Sequence, residues 1–350
     1  MLSAADTSYL WRALELAEKG EGHTRPNPPV GAVVVKGGKI VGEGWHRRAG
    51  GDHAEVAAIK SASVPLAGAT IYVTLEPCSR AGRVGACTDA IAAAGIARVV
   101  YAVADPNPKN RGRAKRALAK AGVACVRAGR EVCEPAEWAA CGGLRECLAE
   151  AERLIAPFAK HVTTGLPYVT VKLAMSLDGK ICDDYGNARW VSSADSRKET
   201  GRIRERVDAI MVGAETVRSD NPSLLSHGRR NNDLIRVVVT RSGRLPKGAQ
   251  VFTDGAPNET RVFRVGRDAG DLGDVLRQLG QAGVMHVLCE GGLKLARSLA
   301  DAGLVDEWIS ILSPIVIGSR RLKDALRLKQ TECVERGGDI EGRFRAPNCH

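Results

Sequence analysis

Short apolar strands alternate with helices in two separate runs of this chain, and this alternation restricts the fold more than any other feature. In the first run, the pattern predicts a helix over 6–19 with Asp6 at its N-cap, and a strand over 70–75 among later strand–helix pairs. The second run begins after Leu166-Pro167 and includes a strand over 235–240. Alternation of this kind is typical of layered α/β domains, and 350 residues are enough for two of them. The sequence therefore predicts an α/β fold with two domains.

A stretch without strand signals separates the two runs. It is rich in Ala, Glu and Cys and has helical character over Pro135–Phe158. We therefore predict a first domain over residues 1–128, a helical connector over 129–160 and a second domain over 161–350.

The net charge of +11 is compatible with nucleic acid or with phosphorylated small molecules as partners. Aromatic residues make up only 4% of the chain and do not interleave with basic clusters, as they do in single-strand nucleic-acid binders. We expect a small phosphorylated substrate, and neither nucleic acid nor membrane as a partner. The apolar runs are shorter than the ~20 residues that span a bilayer, and the N-terminus has no signal-peptide pattern. These features predict a cytoplasmic protein with reduced cysteines.

One His, one Glu and two Cys in the first run form a pattern typical of zinc-dependent deaminases. His53-Ala54-Glu55 opens a predicted helix, Cys78 follows a predicted strand, and Cys87 opens the next helix. One His and two Cys supply three zinc ligands and leave the fourth position to water. Glu55 is not needed as a ligand and can carry a proton from that water to the departing amine. We therefore predict His53, Cys78 and Cys87 as zinc ligands and Glu55 as the catalytic acid and base.

Each of these residues alone also fits a structural role, and only their combined order and spacing is specific. A zinc-stabilised scaffold without catalysis would need an idle Glu55. The other cysteines lack such a context and are interpreted as structural; they are Cys125, Cys133, Cys141, Cys147, Cys182, Cys289, Cys333 and Cys349.

The motifs around this pattern are Pro26–Gly31, Val73–Ser79 and Asp105–Pro108. In order and spacing, the first domain resembles the deaminase domain of the bifunctional riboflavin-biosynthesis deaminase/reductase family. The resemblance implies a cytidine-deaminase-like three-layer α/β/α fold. It also implies a diaminohydroxypyrimidine substrate that carries a phosphoribosylamino group, with contacts from Asn27, from the loop between the two cysteines and from the Asp105–Pro108 segment.

Segments from about Pro167 to the C-terminus resemble the reductase domain of the same family. The resemblance implies a dihydrofolate-reductase-like α/β/α fold and the transfer of hydride from NADPH to a ring-opened ribose, which gives a ribitylamino product. By position it implies four substrate-binding residues, which are Lys172, Arg204, Leu224 and Glu290. It also implies an NADPH site lined by Ala174, Trp190, Thr216, Asp220 and the segment from Gly292.

The sequence departs from the family pattern at several positions. In the loop between the cysteines, Arg80 replaces a His and Val84-Gly85-Ala86 replaces Thr-Pro-Pro, so we expect a more flexible loop. In the second half, a Ser, an Arg and an Asp of the family are replaced by Ala188, His227 and Thr240. Each lost polar contact is worth ~0.5–1.5 kcal/mol. Arg241 follows Thr240 and is a candidate for contact with the 2′-phosphate of NADP.

These observations lead to one principal hypothesis and leave others open. The principal hypothesis is zinc-dependent hydrolytic deamination of 2,5-diamino-6-(5-phosphoribosylamino)pyrimidin-4-one, followed by NADPH-dependent reduction of the ribosyl side chain to ribityl. A paralogue with one weakened half, or with another pyrimidine-type substrate, is the alternative among enzymes. A base-editing or nucleic-acid-binding protein and an idle zinc scaffold are alternatives from other classes. The resemblance also favours a homo-oligomer, either a dimer or a tetramer.

Overall fold

The computed structural model describes residues 2–80, 85–129, 143–186, 190–226, 234–256, 259–266, 270–327, 329–336 and 339–345. Several positions discussed above lie outside these residues, namely Val84, Cys133, Cys141, Ala188, His227 and Cys349. By their contacts the residues form two compact units, Met1–Tyr168 with Leu279–Met285 and Val169–Gln278 with His286–His350. The bounds 1–128, 129–160 and 161–350 stay a prediction. Among the residues described, no helix is both long and apolar enough to cross a membrane.

The first unit is built on a mixed five-stranded sheet. Its elements in chain order are α1 (Ala4–Glu18), β1 (Gly31–Lys36), β2 (Lys39–Trp45), α2 (Ala54–Lys60), β3 (Thr70–Leu75), α3 (Cys87–Ala93), β4 (Arg98–Val103), α4 (Arg113–Lys120), β5 (Ala124–Arg127) and α5 (Leu144–Thr164). The strand order is β2-β1-β3-β4-β5. Strand β1 pairs antiparallel with β2 and β3, whereas β3, β4 and β5 are parallel.

Apolar side chains cover both faces of this sheet. Val33 and Tyr72 lie in a buried cluster with residues of α1 and α5. Their strand neighbours Ala32 and Ile71 point to the opposite face and pack with residues of α2, α3 and α4. Because successive side chains of a strand alternate between faces, the apolar strands hold helices on both sides. The expected three-layer α/β/α arrangement of the first domain is confirmed.

Helix α1 begins with a capping box whose N-cap is Ser3. The Ser3 hydroxyl accepts a hydrogen bond from the Asp6 N–H at 3.1 Å, and the Asp6 carboxylate accepts from the Ser3 N–H at 2.7 Å. The Asp6 carboxylate also accepts from the Tyr72 hydroxyl at 2.6 Å and from Arg98 at 3.0 Å. The prediction of Asp6 as the N-cap is wrong, because its carboxylate completes the box from the third helical position and is buried against the sheet.

Helix α5 contains residues 144–160 of the predicted connector and extends beyond it to Thr164, with Pro157 inside the helix. Its buried residues, which are Leu144, Cys147, Ala151, Leu154, Ile155 and Phe158, form one apolar face. Most of this face joins the cluster that also contains α1. The helix therefore contributes to the core of the first unit.

The second unit is built on a six-stranded sheet. From residue 168 onward the elements are β6 (Tyr168–Ser176), α6 (Ala194–Glu205), β7 (Ala209–Gly213), α7 (Ala214–Asp220), β8 (Ile235–Thr240), α8 (Gln250–Thr253), β9 (Thr260–Arg264), α9 (Leu272–Gln281), β10 (His286–Cys289), α10 (Leu293–Asp301), β11 (Glu307–Ser313), β12 (Ile315–Val316), a 3₁₀ helix (Leu322–Asp324), β13 (Leu326–Arg327), β14 (Lys329–Arg336) and β15 (Asp339–Arg345). The sheet has the order β11-β6-β10-β7-β8-β9, while β12–β13 and β14–β15 form separate two-stranded sheets.

This strand order creates a crevice at the carboxyl ends of the strands in the six-stranded sheet. The pairs β11–β6, β10–β7, β7–β8 and β8–β9 are parallel. Because β10 lies between β6 and β7, the chain leaves β7 toward β8 on one side and leaves β10 toward β11 on the other. Ligands of open α/β sheets bind at such a switch point, outside the carboxyl ends of the strands.

Candidate active sites

The three predicted metal ligands are brought together by the starts of two helices and the end of one strand. His53 is the N-cap residue of α2, Cys78 follows β3, and Cys87 is the first residue of α3. Helix α2 lies close to the sheet because β2 contains Gly44. A Cβ atom there would lie 2.3 Å from the backbone nitrogen of Ala58 in α2. The glycine thus allows the close packing that places His53 beside the cysteines.

The three ligand atoms form a triangle of the size that a zinc ion requires. His53 Nδ1 lies 3.2 Å from Cys87 Sγ and 3.6 Å from Cys78 Sγ, and the two sulfur atoms are 3.3 Å apart. In a tetrahedral site with bonds of about 2.0–2.3 Å, ligand atoms lie roughly 3.3–3.8 Å apart. In the part of the chain that the structure describes, this is the one group of His, Cys, Asp or Glu residues that could hold a metal ion.

The charges in this triangle suit a bound cation. Hydrogen bonds from the thiol and backbone N–H of Cys87 and from the His53 ring lower the pKa of Cys78. The bond to Cys78, together with burial, raises the pKa of Cys87. The cluster therefore holds a thiolate next to a second thiol, and a divalent cation would stabilise both sulfur atoms in the ionised form that ligation needs.

Glu55 lies beside the triangle in the first turn of α2, where it is 4% exposed. Burial, followed by the negative charge on Cys78, raises the pKa of Glu55 to about 7. A carboxyl group with a pKa near neutrality can both accept and donate a proton at physiological pH. The environment of Glu55 is therefore suited to acid–base chemistry.

His46, a buried histidine outside the predicted set, connects Asn27 with the metal triangle. Its Nδ1 lies 2.9 Å from the carbonyl oxygen of Asp52, so Nδ1 carries the proton and Nε2 accepts from Nδ2 of Asn27 at 3.1 Å. The His46 and His53 rings pack edge to face, with centroids 5.5 Å apart. Burial lowers the pKa of His46 and keeps the ring neutral. His46 therefore fixes the orientation of the Asn27 amide.

Glu76, also outside the predicted set, anchors the segment between β4 and α4. Its buried carboxylate accepts three backbone hydrogen bonds at 3.0–3.2 Å, from Asp105, Gly112 and Ala114. Asn110 donates to the Asp105 carboxylate at 2.7 Å and accepts from the Ser79 N–H at 3.0 Å. This network holds the Asp105–Pro108 segment next to the residue that follows Cys78.

A cavity of about 760 Å³ opens at the crevice of the second unit. All nine residues for which the resemblance implies a reductase role line this cavity; they are Lys172, Ala174, Trp190, Arg204, Thr216, Asp220, Leu224, Glu290 and Gly292. They come from β6, α6, α7, the residues after β10 and the loops between these elements. Residues that are far apart in the sequence thus meet at the switch point of the sheet.

Arg204 and Glu290 form a two-point ion pair in the cavity wall. Arg204 Nε lies 2.6 Å from Oε1, Nη2 lies 3.0 Å from Oε2, and a third donor binds the Leu225 carbonyl oxygen at 3.0 Å. Burial lowers the pKa of Lys172. The negative charge of Glu290 opposes this effect, and the positive charge of Arg204 adds to it. The cavity therefore offers two cationic groups and one carboxylate to a ligand, a combination that suits phosphate oxygens and sugar hydroxyls.

The cavity lining includes two residues with unusual backbone angles and one exposed Trp that is held by a neighbouring Arg. Asn221 and Leu224 have φ angles of 41° and 58°, which are uncommon for residues other than glycine. The Trp190 side chain is 56% exposed, and the Arg197 guanidinium lies 4.3 Å from its ring centroid. Unusual backbone angles of this kind often occur at functional sites.

Comparisons with known proteins match both halves of the chain. The family described as the cytidine and deoxycytidylate deaminase zinc-binding region matches residues 3–103, and the RibD C-terminal domain family matches residues 167–340. The riboflavin biosynthesis protein RibD of Aquifex aeolicus is 34% identical, and the alignment covers 97% of this chain and 98% of that protein. The RibD protein of Escherichia coli is 35% identical over 96% of this chain and 98% of its own length.

Two solved structures share the fold over nearly the full length. The diaminohydroxyphosphoribosylaminopyrimidine deaminase/5-amino-6-(5-phosphoribosylamino)uracil reductase of Thermotoga maritima has a TM-score of 0.79 and 32% identity, and the match covers 98% of this chain and 99% of that one. Acinetobacter baumannii RibD has a TM-score of 0.76 and 31% identity with the same coverage. The expected architecture, a deaminase-like domain followed by a reductase domain, is confirmed.

Proposed function

The chain belongs to the RibD family of riboflavin biosynthesis proteins, and we propose that it performs two successive reactions on one phosphorylated pyrimidine. The first is zinc-dependent hydrolytic deamination of 2,5-diamino-6-(5-phosphoribosylamino)pyrimidin-4-one. The second is NADPH-dependent reduction of the ribosyl side chain to ribityl. The proposal is supported best by one observation: a His-Cys-Cys triangle beside a buried Glu55 occurs in the same chain as a cavity lined by every residue expected of the reductase.

In the first unit, His53, Cys78 and Cys87 would hold the zinc ion, because their donor atoms and spacing fit it. Bound zinc supplies the Lewis acidity that makes water nucleophilic near neutral pH. Glu55 takes a proton from the attacking water and delivers it to the leaving amine, and its buried position beside the triangle suits both roles. Asn27, oriented by His46, contacts the pyrimidine ring.

In the second unit, Lys172, Arg204, Leu224 and Glu290 bind the substrate. The two cationic side chains pair with phosphate oxygens, while the carboxylate accepts hydrogen bonds from hydroxyl groups. NADPH supplies the hydride, and the protein orients it. The residues assigned to the cofactor are Ala174, Trp190, Thr216, Asp220 and Gly292, the last of which is the N-cap of α10.

The partner expected from this chemistry is a small pyrimidine substrate rather than nucleic acid or a membrane. We further propose a homo-oligomer, a dimer or a tetramer, that acts in the cytoplasm. Light scattering of the purified chain tests the assembly, and a monomeric mass at micromolar concentration would overturn it.

A coupled assay tests the two activities together. The zinc-loaded chain is given the phosphoribosyl diaminopyrimidine, and ammonia release and NADPH oxidation are followed in one tube. We expect ammonia first and NADPH oxidation afterwards. Glu55→Gln should lower ammonia release by ~10²–10⁴-fold and leave the reduction of supplied deaminated intermediate unchanged. Ammonia without NADPH oxidation would overturn the reductase assignment, and no ammonia from the zinc-loaded protein would overturn the deaminase assignment.

A further inference from the structure

Leu224 lines the cavity of the second unit, although almost none of the residue is exposed. Its side chain packs among apolar residues of β7, α7 and β8, such as Val212, Val217 and Val238. A residue buried in this way contacts a ligand through its backbone. Within the part of the chain that the structure describes, the Leu224 N–H donates to no other group. This N–H is therefore the group that Leu224 offers to a ligand.

The direction of this N–H is set by the carbonyl group of Ser223. The two groups belong to one peptide unit, and in a planar trans peptide the C=O and the N–H point in opposite directions. Arg236 of β8 donates from Nη1 to the Ser223 carbonyl oxygen at 3.3 Å. Ser223 lines the cavity, whereas Arg236 is not among the described residues that do so. The carbonyl oxygen therefore points to a buried guanidinium, and the Leu224 N–H points away from it.

Arg236 is itself fixed by a buried ion pair. Its side chain is 3% exposed, and Nη1 lies 2.6 Å from Oδ2 of Asp254, whose side chain is 16% exposed. The other carboxylate oxygen of Asp254 accepts a hydrogen bond from the Ala256 N–H at 3.1 Å. A guanidinium buried this deeply needs a paired anion, and here the anion is held by the backbone as well. Arg236 thus presents a fixed donor to the Ser223 carbonyl oxygen.

The backbone around Leu224 needs this support. Asn221 and Leu224 both have positive φ angles, and such conformations persist only where the surrounding contacts impose them. The Gln250 N–H donates to Oδ1 of Asn221 at 2.7 Å, and Gln250 is the first residue of α8. Asp254 is the C-cap of the same helix. The segment 221–225 is therefore attached to both ends of α8, directly through Asn221 and indirectly through the buried ion pair.

We propose that Arg236 is a positioning residue of the reductase site, which aims the Leu224 N–H at an oxygen atom of the pyrimidine substrate. A donor held by a rigid support binds an acceptor at one place only, so its direction matters as much as its presence. Arg236 does not touch the ligand. Its replacement should therefore weaken substrate binding and leave hydride transfer and cofactor binding unchanged. The inference rests on the proposed reductase function.

Arg236→Lys keeps a positive charge beside Asp254, but the Lys nitrogen ends one bond short of Nη1, so the ion pair remains and the contact with Ser223 is lost. Calorimetry without NADPH measures Kd for the deaminated intermediate, and steady-state kinetics measures kcat and both KM values. We expect Kd and KM for the intermediate to rise about three- to tenfold, with kcat and KM for NADPH within about twofold. Arg261→Lys, the same change in an exposed pair on β9, should alter none of them.

Asp254→Asn tests the same support from the other side of the ion pair. It keeps an acceptor oxygen but removes the charge that holds Arg236, so substrate affinity should fall in the same direction. Thermal unfolding of each variant measures its stability. If Arg236→Lys does not fold, Asp254→Asn decides by the same criteria. Damage to the fold alone would lower kcat with the folded fraction and leave both KM values unchanged.

Three outcomes would overturn the inference: a Kd for the intermediate within about twofold of the wild type, equal increases in KM for the intermediate and for NADPH, or a loss of kcat alone. With an active wild type, each of them would leave the proposed reductase function in place. A wild type that binds the intermediate more tightly than Arg236→Lys does, but oxidises no NADPH, would support the positioning role and overturn the reductase activity. A wild type that does not bind the intermediate would overturn both.

Discussion

Arg204 and Glu290 contact each other through two pairs of atoms, although they are 86 residues apart in the sequence. Arg204 lies on α6, and Glu290 follows β10, so the pair joins two sides of the cavity. The side chains are only 16% and 10% exposed. A largely buried pair of this kind depends on both partners, because the loss of one leaves the other charge uncompensated.

Glu290→Gln keeps the size of the side chain and removes its charge. We expect NADPH oxidation to fall by at least about tenfold, because Arg204 loses its counter-ion and the substrate loses a hydrogen-bond acceptor. Ammonia release should be unchanged. Glu259→Gln is the matched control, since it breaks the more exposed pair with Arg261 and should leave both rates within about twofold. A loss of ammonia release in Glu290→Gln would contradict the assignment.

His46→Ala should impair deamination by freeing the Asn27 amide. We expect KM for the pyrimidine to rise about three- to tenfold, the usual worth of one hydrogen bond, with zinc content unchanged. If His46 acts through Asn27, the double variant with Asn27→Ala should be no worse than Asn27→Ala alone. Additive losses in this cycle, or loss of zinc from His46→Ala, would show that His46 acts by another route.

The carboxylate of Asp178 gives the second unit a pH-dependent contact. It accepts hydrogen bonds from the N–H groups of Ile317 at 3.0 Å and Gly318 at 2.8 Å. Burial acts to raise the pKa of Asp178, but these bonds and one from Ser176 outweigh it and lower the pKa to about 2. Because the folded pKa lies below the ordinary value of 3.8, the contribution to stability is present above about pH 4 and is lost as the pH falls through about 2.

Asp178→Asn should therefore lower Tm at pH 7 by about 2–4 °C, and the difference from the wild type should shrink to a small fraction of this near pH 2. Scanning calorimetry at several pH values measures both. Asp184→Asn, which removes an exposed partner of Lys180, serves as the control with little expected change. A difference in Tm that is the same at both pH values would contradict the hydrogen-bonded carboxylate.

The sequence predicts regular elements and local motifs well. The strands over 70–75 and 235–240 coincide with β3 and β8, because each is a compact apolar run with a clear end. The metal triangle was predicted because its residues lie at the ends of such elements. Helix α7 was missed because its seven residues are too short to show a helical period.

The residues that support the sites were missed because their partners are distant in the sequence. His46 contacts Asn27 across 19 positions, and Glu76 accepts from an N–H group 38 positions away. His46 belongs to no spacing pattern, and Glu76, although it lies within the Val73–Ser79 motif, has a role that depends on N–H groups far along the chain. The N-cap of α1 shows the same limit, since the burial of Asp6 depends on Tyr72 and Arg98 in the sheet.

Metal removal should destabilise the first unit selectively. The three ligands join the starts of α2 and α3 to the end of β3, so a bound ion connects three elements of that unit. Where a metal site forms only on folding, the free energy of metal binding adds to the stability of the fold. Without the ion, a thiolate and a thiol lie next to a buried carboxyl group, which favours local opening.

Hydrogen–deuterium exchange of the zinc-loaded chain, with and without a chelator, measures this effect for each unit. We expect the amides of α2 and α3 to exchange at least about tenfold faster after chelation, and those of β7 and β8 to be unchanged. Cys78→Ser is the matched control, because it lacks one ligand and should exchange rapidly with or without the chelator. Equal acceleration in both units would contradict a metal that stabilises the first unit alone, and no acceleration in either would contradict a structural contribution from the metal.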